Sequence, residues 1–500
     1  MALNLKHFIA DKMHRIRIII TFMIILSILA SCTTNEHNQA GIFSGSYWKT
    51  QALEHIMPYW TGNAIDKKYG AFHTNLDSAW DQYGSRDKFP SMISRHLFSY
   101  SSAYLLSGNN EDIRIADSTF SWLIEKAWDK EYGGWYDALD EKGDPVQYSK
   151  TTFVQVYAVT GLTMYYFVTR DEKALEYIEK SNNLLEKHVW DSISKGYFNS
   201  MNRDWSILDS NKSFSSMITP VSGYLIYLYQ ATKEQKYLDQ INRILDVTVE
   251  NMIDPESGWV LEDFDRDWNY ISRKNDASEV NIGHNIEASW MLLRNYLLTG
   301  NTGHRESAIM LAEKIYSSGV FRDNGIWLTS AGRLNPSLHS ADTYWWIQAY
   351  GNMFSLYLYK TSGDEKYLDD FRKGAVLWEN SFMDYRNGDT YFSVDSSGNV
   401  TDARKANQFK ASYHNIEHCL LNFLTLNLWV NNDPVELHFR IRSSVDGDLL
   451  YPNILEDKYV KIKKVVVDRG EGDISVKDEG VIILPEIKDN KVTVVQCRGD

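Results

Sequence analysis

Apolar residues along this chain fall into two alternating kinds of segment. One kind is apolar nearly all round, as at 153–167 and 340–359, which predicts helices buried on every side. The other carries apolar residues at helical period, as in Tyr237-Leu238, Ile241 and Ile244-Leu245, which predicts amphipathic helices with one face on a core. Polar breaks separate the two members of a pair. Thr169-Arg170-Asp171-Glu172, Thr232-Lys233-Glu234-Gln235, Thr299-Gly300-Asn301-Thr302 and Ser362-Gly363-Asp364-Glu365 each offer a cap followed by acidic or amide residues, a helix-start signature. A glycine–aromatic turn precedes each pair, at Gly70, Gly134, Gly196, Gly258, Gly325 and Gly388, with spacings of 64, 62, 62, 67 and 63 residues. That period marks six copies of one unit. Six hairpins, each with an apolar inner and an amphipathic outer helix, close best into an (α/α)6 toroid. An open solenoid would want polar capping repeats at its ends, and the first and last units resemble the middle ones. Past Trp429 the period changes to two, at Val435–Ile441, Tyr459–Val467 and Lys491–Val495, which predicts a small β appendage over 431–500.

The N-terminus reads as an export signal. Lys12, Arg15 and Arg17 precede an apolar run, Ile18 to Ala30, that is too short for a comfortable membrane span. The run ends in Leu29-Ala30-Ser31-Cys32, which resembles a bacterial lipobox. That resemblance implies cleavage before Cys32, lipidation of that cysteine and a lipid-anchored protein of the cell envelope facing the periplasm or the cell surface. Translation from Met13 would give a more compact signal, and an uncleaved membrane anchor is the competing reading. The expected organisation is a signal peptide at 1–31, a tether at 32–44, a catalytic helical domain at 45–430 and the β appendage at 431–500.

Composition narrows the function. The 500 residues are 43% hydrophobic and 24% charged, ample for a large core. A net charge of −14 offers no basic face for nucleic acid. Sixteen Trp and 31 Tyr suit stacking on sugar rings, and equally suit thick helical packing. Cys419 and Cys497 imply no disulfide framework, and no Cys-x-x-Cys zinc spacing occurs.

Candidate chemistry begins at Gly283-His284-Asn285-Ile286-Glu287-Ala288-Ser289-Trp290, the opening of a helix predicted over Gly283 to Leu298. His284 and Glu287 share a helix face. The repeat supplies an internal test. From each repeat glycine, Arg95 lies 25 residues on, His284 26 and His414 26. Three inner helices thus carry Arg, His and His at one height, on one rim of a funnel. Such a convergent polar pocket is what a sugar site needs. His414-Asn415-Ile416-Glu417-His418 matches the His-x-x-Glu-His pattern of inverted zinc peptidases. The sixfold repeat weighs against that match, and Glu417 and His418 are expected to satisfy neighbouring polar groups, with no metal and no cofactor.

At 46–429 the chain resembles the N-acylglucosamine 2-epimerase superfamily, which includes cellobiose 2-epimerases and aldose–ketose isomerases. The resemblance rests on Gly-His-x-Ile-Glu-Ala-Ser-Trp at 283–290, Trp-Trp-x-Gln-Ala at 345–349, Lys-x-x-Tyr-His at 410–414, Arg95 in the first inner helix, and the second repeat from Gly133 through Lys150. It implies proton transfer at C2 of a reducing mono- or oligosaccharide through an enediolate. His414 would be the C2 base. His284, helped by Glu287, would handle ring opening and the opposite face, and Arg95 would stabilise the enediolate oxygen. It also implies sugar contacts from Trp345, Trp346, Gln348, Lys150, Lys410, Phe409 and Tyr413. The chain departs from the family pattern in four places. The third inner helix has Ser216, Ile218 and Pro220 where Asn-x-His-x-His is usual, and Tyr350, Phe409 and Glu417 stand for Glu, Trp and Arg. These changes lead us to expect an unusual sugar. The alternatives are a glycoside hydrolase or lyase on the same scaffold, with Asp137, Asp140 and Asp342 as candidate carboxylates, or a non-catalytic glycan-binding lipoprotein.

Overall fold

The computed structural model describes residues 41–271, 279–335, 337–468 and 475–499, so the signal segment and Cys32 lie outside it. Six helical pairs follow one another among the described residues. The outer helices are α1 (45–63), α3 (Asn110–Trp122), α5 (Glu172–Leu184), α7 (Gln235–Asn251), α9 (Thr302–Ser317) and α11 (Glu365–Leu377). The inner ones are α2 (Pro90–Ser107), α4 (Thr152–Thr169), α6 (214–232), α8 (Ile282–Thr299), α10 (Trp345–Ser362) and α12 (Tyr413–Thr425). The inner helices are buried nearly all round, as in α4, whereas α7 buries Tyr237, Leu238, Ile241, Ile244 and Leu245 on one face. The predicted caps form at Asp171, Asn301 and Asp364, whose side chains accept from backbone N–H groups one turn in. Each inner helix packs on the next, and α12 packs back on α2.

Short strands at the entrances of the inner helices were not legible in the sequence. Lys150–Thr151 pairs with Ser200–Met201, Lys212–Ser213 with Asp263–Phe264, Glu279–Asn281 with Ser330–Gly332, and Asp342–Tyr344 with Ser393–Asp395. Two or three residues are too few to write a period-two pattern, so 340–344, expected as helix, is loop and strand instead. These strands tie each repeat to its successor at the rim.

Two further devices recur under that rim, and each corrects an expectation. An amide side chain on an inner helix clamps the glycine–aromatic turn beside it. Gln155 accepts from the Trp135 N–H at 2.9 Å and donates to its carbonyl at 2.6 Å, and Asn285 does the same to Val260. Gln348 belongs to this set: it accepts from the Trp327 N–H at 3.2 Å and donates to the Gly325 carbonyl at 2.9 Å. Its amide holds a turn in which Gly325 sits at φ 90° with the Lys373 carbonyl where a Cβ would lie, so it is not a sugar contact. The second device is a buried ion pair between a turn aspartate and a lysine near the next inner helix. Lys88–Asp66 (2.7 Å), Lys150–Asp129 (3.0 Å), Lys405–Asp384 (2.7 Å) and Lys410–Asp389 (2.7 Å) all lie out of solvent. Lys150 and Lys410, expected to bind sugar, are therefore committed to structure, because a buried ammonium must be paired.

The appendage closes the opposite end of the helices. Strands β1 (Val435–Ser444), β2 (Val460–Val467) and β3 (Ile487–Arg498) form an antiparallel sheet with β3 central, and β1 packs on α2 and α4. A second small sheet joins 448–450, 481–484 and 475–477. Between β1 and β2 the chain turns inward. Glu456 receives the Arg294 guanidinium of α8 at 2.6–2.8 Å and the Tyr357 hydroxyl of α10 at 2.7 Å, while the Leu455 carbonyl receives Gln230 of α6 at 2.6 Å. Neither partner of the Arg294–Glu456 pair has exposed side-chain surface. Cys419 and Cys497 are free thiols, the first buried in α12 and the second on β3.

Removing one partner of such a pair strands the other charge in the core. We expect Glu456→Ala to lower unfolding free energy by about 3–5 kcal/mol, and the double change Arg294→Met with Glu456→Leu to recover most of that loss. Chemical denaturation of the three proteins checks this. Equal midpoints for Glu456→Ala and the unmodified chain would contradict it.

Candidate active site

At the end of the helices away from the appendage, all six inner helices or their entrance loops contribute to one cavity of about 260 Å³. Arg95 comes from α2, Phe153 and Tyr157 from α4, Ser215 and Thr219 from α6, and His284 and Glu287 from α8. Trp345, Trp346 and Tyr350 come from α10, Phe409 from the loop before α12, and His414 from α12. The expected convergence of Arg95, His284, Glu287 and His414 is therefore present, along with three of the expected aromatic contacts. Tyr413 is not among the lining residues. It is buried behind His414, ring centroids 4.8 Å apart, and its hydroxyl donates to Glu417 at 3.0 Å.

Arg95 reaches the cavity with its donors on backbone carbonyls only: Ser91 at 3.1 Å, Phe409 at 2.8 Å and Gln408 at 3.3 Å. The guanidinium lies 4.7 Å from the centre of the Tyr157 ring. Burial pulls its proton affinity down, and the neighbouring tyrosines oppose that. An arginine remains charged at any working pH, so a cation without a carboxylate in its bonding shell faces the cavity.

The two histidines are unlike. His284 sits in the first turn of α8, its backbone N–H capped by Asn281 at 3.1 Å. Its ring lies flat on Phe214, with centroids 4.2 Å apart and planes 13° apart, and its Nδ1 hydrogen-bonds the Glu262 carboxylate. Burial alone would lower its pKa, but Glu262, with Glu287 and Asp263 adding to it, raises the pKa above 6.5. The carboxylate that hydrogen-bonds His284 is therefore Glu262, while Glu287, expected to help His284, acts on it through charge. His414 has no such partner: among the described residues nothing bonds its Nδ1. Tyr350, Trp345 and Trp346 surround its ring, with centroids 5.1, 5.9 and 6.3 Å away. Burial first, then the Arg95 charge, holds its pKa well below 6.5, so it is a neutral imidazole. Trp346 stands between the two histidines, 5.5 Å from the His284 ring.

Glu287 is buried and its pKa is raised by desolvation, with His284 opposing the rise. One of its oxygens has no partner among the described residues. Glu417, one turn beyond His414, is pushed up to about 7 by burial, and accepts from the Tyr227 and Tyr413 hydroxyls. His418 lies in the core between Trp48 and Trp378. Among the described residues no group of three or more His, Cys, Asp or Glu side chains is placed to hold a metal ion. Asp137 caps the start of α4 through Thr151, and Asp140 closes its own turn, so neither serves as a paired carboxylate across the cavity. On α6 the side chains that reach the cavity are Ser215 and Thr219, rather than the Ser216, Ile218 and Pro220 positions expected.

Sequence reasoning missed Glu262, Phe214, Tyr157, Ser215 and Thr219. It noted Tyr350 only as a departure, although Tyr350 lies 25 residues after Gly325, at the rim count that found Arg95. Glu262 had no such signal, because it sits in an irregular segment outside the helical register.

Comparison with known proteins agrees with this geometry. A cellobiose 2-epimerase from Bacteroides fragilis is 26% identical over 382 residues, spanning 73% of this chain and 95% of that protein. A D-mannose isomerase from Marinomonas mediterranea is 22% identical over 394 residues, spanning 75% and 96%. The solved cellobiose 2-epimerase of Bacillus thermoamylovorans superposes with a TM-score of 0.69 at 23% identity, over 76% of this chain and 98% of that one, which shows a shared fold. The family profile described as N-acylglucosamine 2-epimerase (GlcNAc 2-epimerase) matches residues 70–418, well over half of the chain, and the chain therefore belongs to that family.

Proposed function

We propose that this protein is a carbohydrate epimerase or aldose–ketose isomerase that moves a proton at C2 of a reducing sugar. The observation that carries the reading is one small cavity holding two unlike histidines, an unneutralised arginine and a buried glutamate, walled by aromatic rings. Cellobiose 2-epimerases and a D-mannose isomerase among its relatives support the same reaction class. The six hairpins are read as a closed (α/α)6 toroid, supported by the packing of α12 on α2, with 45–430 as the catalytic domain and 431–500 as its cap.

The chemistry follows from the side chains. The sugar ring must open before C2 becomes acidic beside the C1 carbonyl. Neutral His414 accepts the C2 proton, becoming imidazolium, and the electron pair moves to O1 as an enediolate. Arg95 stabilises that oxygen, in a site dry enough for the charge to count. His284 gives a proton to C2 from the other face, O1 returns to carbonyl, and the 2-epimer forms. Proton return at C1, with the O2 proton moving to O1, gives the ketose instead. Glu287, protonated more readily than an ordinary carboxylate, is placed for ring opening beside His284. Trp346, Trp345 and Phe409 supply stacking faces for the sugar.

His414→Ala is expected to abolish exchange at C2, a loss of roughly 10²–10⁴ in rate, with the fold intact. Incubation of a reducing-sugar panel in D2O, followed by NMR at C2, checks the activity, and circular dichroism checks the fold. Undiminished labelling by the variant removes His414 from the reaction.

The same resemblance leads us to expect poor action on common substrates. The α6 stretch Ser216, Ile218 and Pro220 lacks the imidazoles usual in the family, and each lost hydrogen bond is worth about 0.5–1.5 kcal/mol. Specificity constants on cellobiose and mannose should fall below ~10⁴ M⁻¹s⁻¹, with an atypical sugar or oligosaccharide end preferred. Values above that on either sugar would overturn this expectation.

We further propose that the protein is anchored through lipidated Cys32, supported by the basic, apolar and Leu-Ala-Ser-Cys succession at 12–32. Cys32→Ser should move it from the membrane to the soluble fraction, and continued membrane recovery with no lipid on Cys32 would contradict the anchor.

A further inference from the structure

We infer that Glu262 is a positioning residue that fixes His284 as the proton donor of the resting enzyme, leaving His414 as the acceptor. The inference rests on the epimerase reading above and adds to it a direction for the first proton transfer.

Glu262 follows the fourth glycine–aromatic turn, immediately before the Asp263–Phe264 strand. Its carboxylate hydrogen-bonds His284 Nδ1, and Glu262 lines a neighbouring hollow with Asn281 and Thr329 and is not among the residues lining the sugar cavity. It thus acts through His284 without touching substrate. An acceptor on Nδ1 requires one proton there, which aims Nε2 at the cavity; in the imidazolium, the form the Glu262 carboxylate favours, Nε2 carries the second proton, and that is the one given to C2. Phe214 lies flat on one face of the same ring, so ring rotation is blocked by packing while the tautomer is set by the hydrogen bond. The groups facing His284 all agree in sign on its near side. Glu262 comes from the loop before the Asp263–Phe264 strand, Asp263 from that strand and Glu287 from the same helix, while the contacts from α6 and α10, Phe214 and Trp346, are uncharged. Arg95 and His414 face it only across the cavity.

His414 is the converse case. No group among the described residues bonds its Nδ1, aromatic rings surround it, and Arg95 is the charge that bears on it. The two imidazoles therefore enter the reaction in different states, His284 as an imidazolium steadied by a carboxylate and His414 as a neutral ring with a free lone pair. Epimerisation then starts with removal by His414 and return by His284, and the reverse epimer must wait for the proton to be redistributed.

The test compares Glu262→Gln and Glu262→Asp with the unmodified protein. A raised His284 pKa means the donor form is present at low pH and is lost as pH rises through that value. Glu262→Gln lowers the pKa, so the basic limb of the kcat/KM profile should move to lower pH while the acidic limb, set by His414, stays. We expect kcat to fall about tenfold to a thousandfold, as for a mis-set acid–base group, with KM changed less than about twofold and Glu262→Asp recovering part of the limb. Long-range ¹⁵N NMR reads the protonation state without turnover: His284 should hold protons on both Nδ1 and Nε2 to higher pH in the unmodified protein than in Glu262→Gln, and its neutral form should lose the Nδ1 preference in that variant. An unmoved basic limb with an unchanged Nδ1 signal overturns the inference while leaving the epimerase reading in place. Absence of C2 labelling by the unmodified protein on every sugar would instead strike the epimerase reading, and the NMR signature would still decide Glu262.

Discussion

A helix buried on every side can carry a charge only where another group answers it. That constraint sorts the polar residues of the inner helices and their entrances into two sets. Lys88, Lys150, Lys405 and Lys410 are answered by aspartates of the glycine turns, and Arg294 by Glu456. The amides of Gln155, Asn285 and Gln348 are answered by backbone. Glu287 and His414 each keep one buried atom without a partner among the described residues, Arg95 bonds only backbone carbonyls, and all three open on one cavity. Buried atoms without a partner also occur elsewhere, at His96, Glu417 and His418 for example, so it is convergence on one cavity that separates the site from the scaffold.

The helical pairs and the common height of Arg95, His284 and His414 were legible because a repeat of fixed length converts sequence offset into height. The offsets of 25 and 26 residues need no contact information. What could not be read was partnership. Lys150, Gln348 and Lys410 are polar residues near motif positions, and only the fold reveals that each is bonded elsewhere. Glu262 is the converse: an unremarkable acid in a loop, brought to Nδ1 of His284 by the strand pairing of Lys212–Ser213 with Asp263–Phe264 and by the cap at Asn281. Short strands of two or three residues leave no period, so the pairings they impose stay hidden until the chain is folded.

The cavity is walled by aromatic faces, among which stand one cation, two histidines and a glutamate. The walls recognise a ring without dictating its hydroxyl pattern, whereas the polar set bears on C1 and C2. Such a division separates what is bound from what is done. Changes at Ser215 and Thr219 can then shift sugar preference without touching the pair of histidines that moves the proton.

The Arg294–Glu456 pair also has a temporal side. Its partners are 162 residues apart in the chain, and at translation speeds of about 5–20 residues per second the guanidinium waits roughly ten to thirty seconds for its counter-charge to be made. During that interval the nascent helices hold an uncompensated cation at the face the appendage will later cover. Final consolidation is thus deferred until the C-terminal segment emerges, so a chain released early is left loosely packed and open to quality-control proteases.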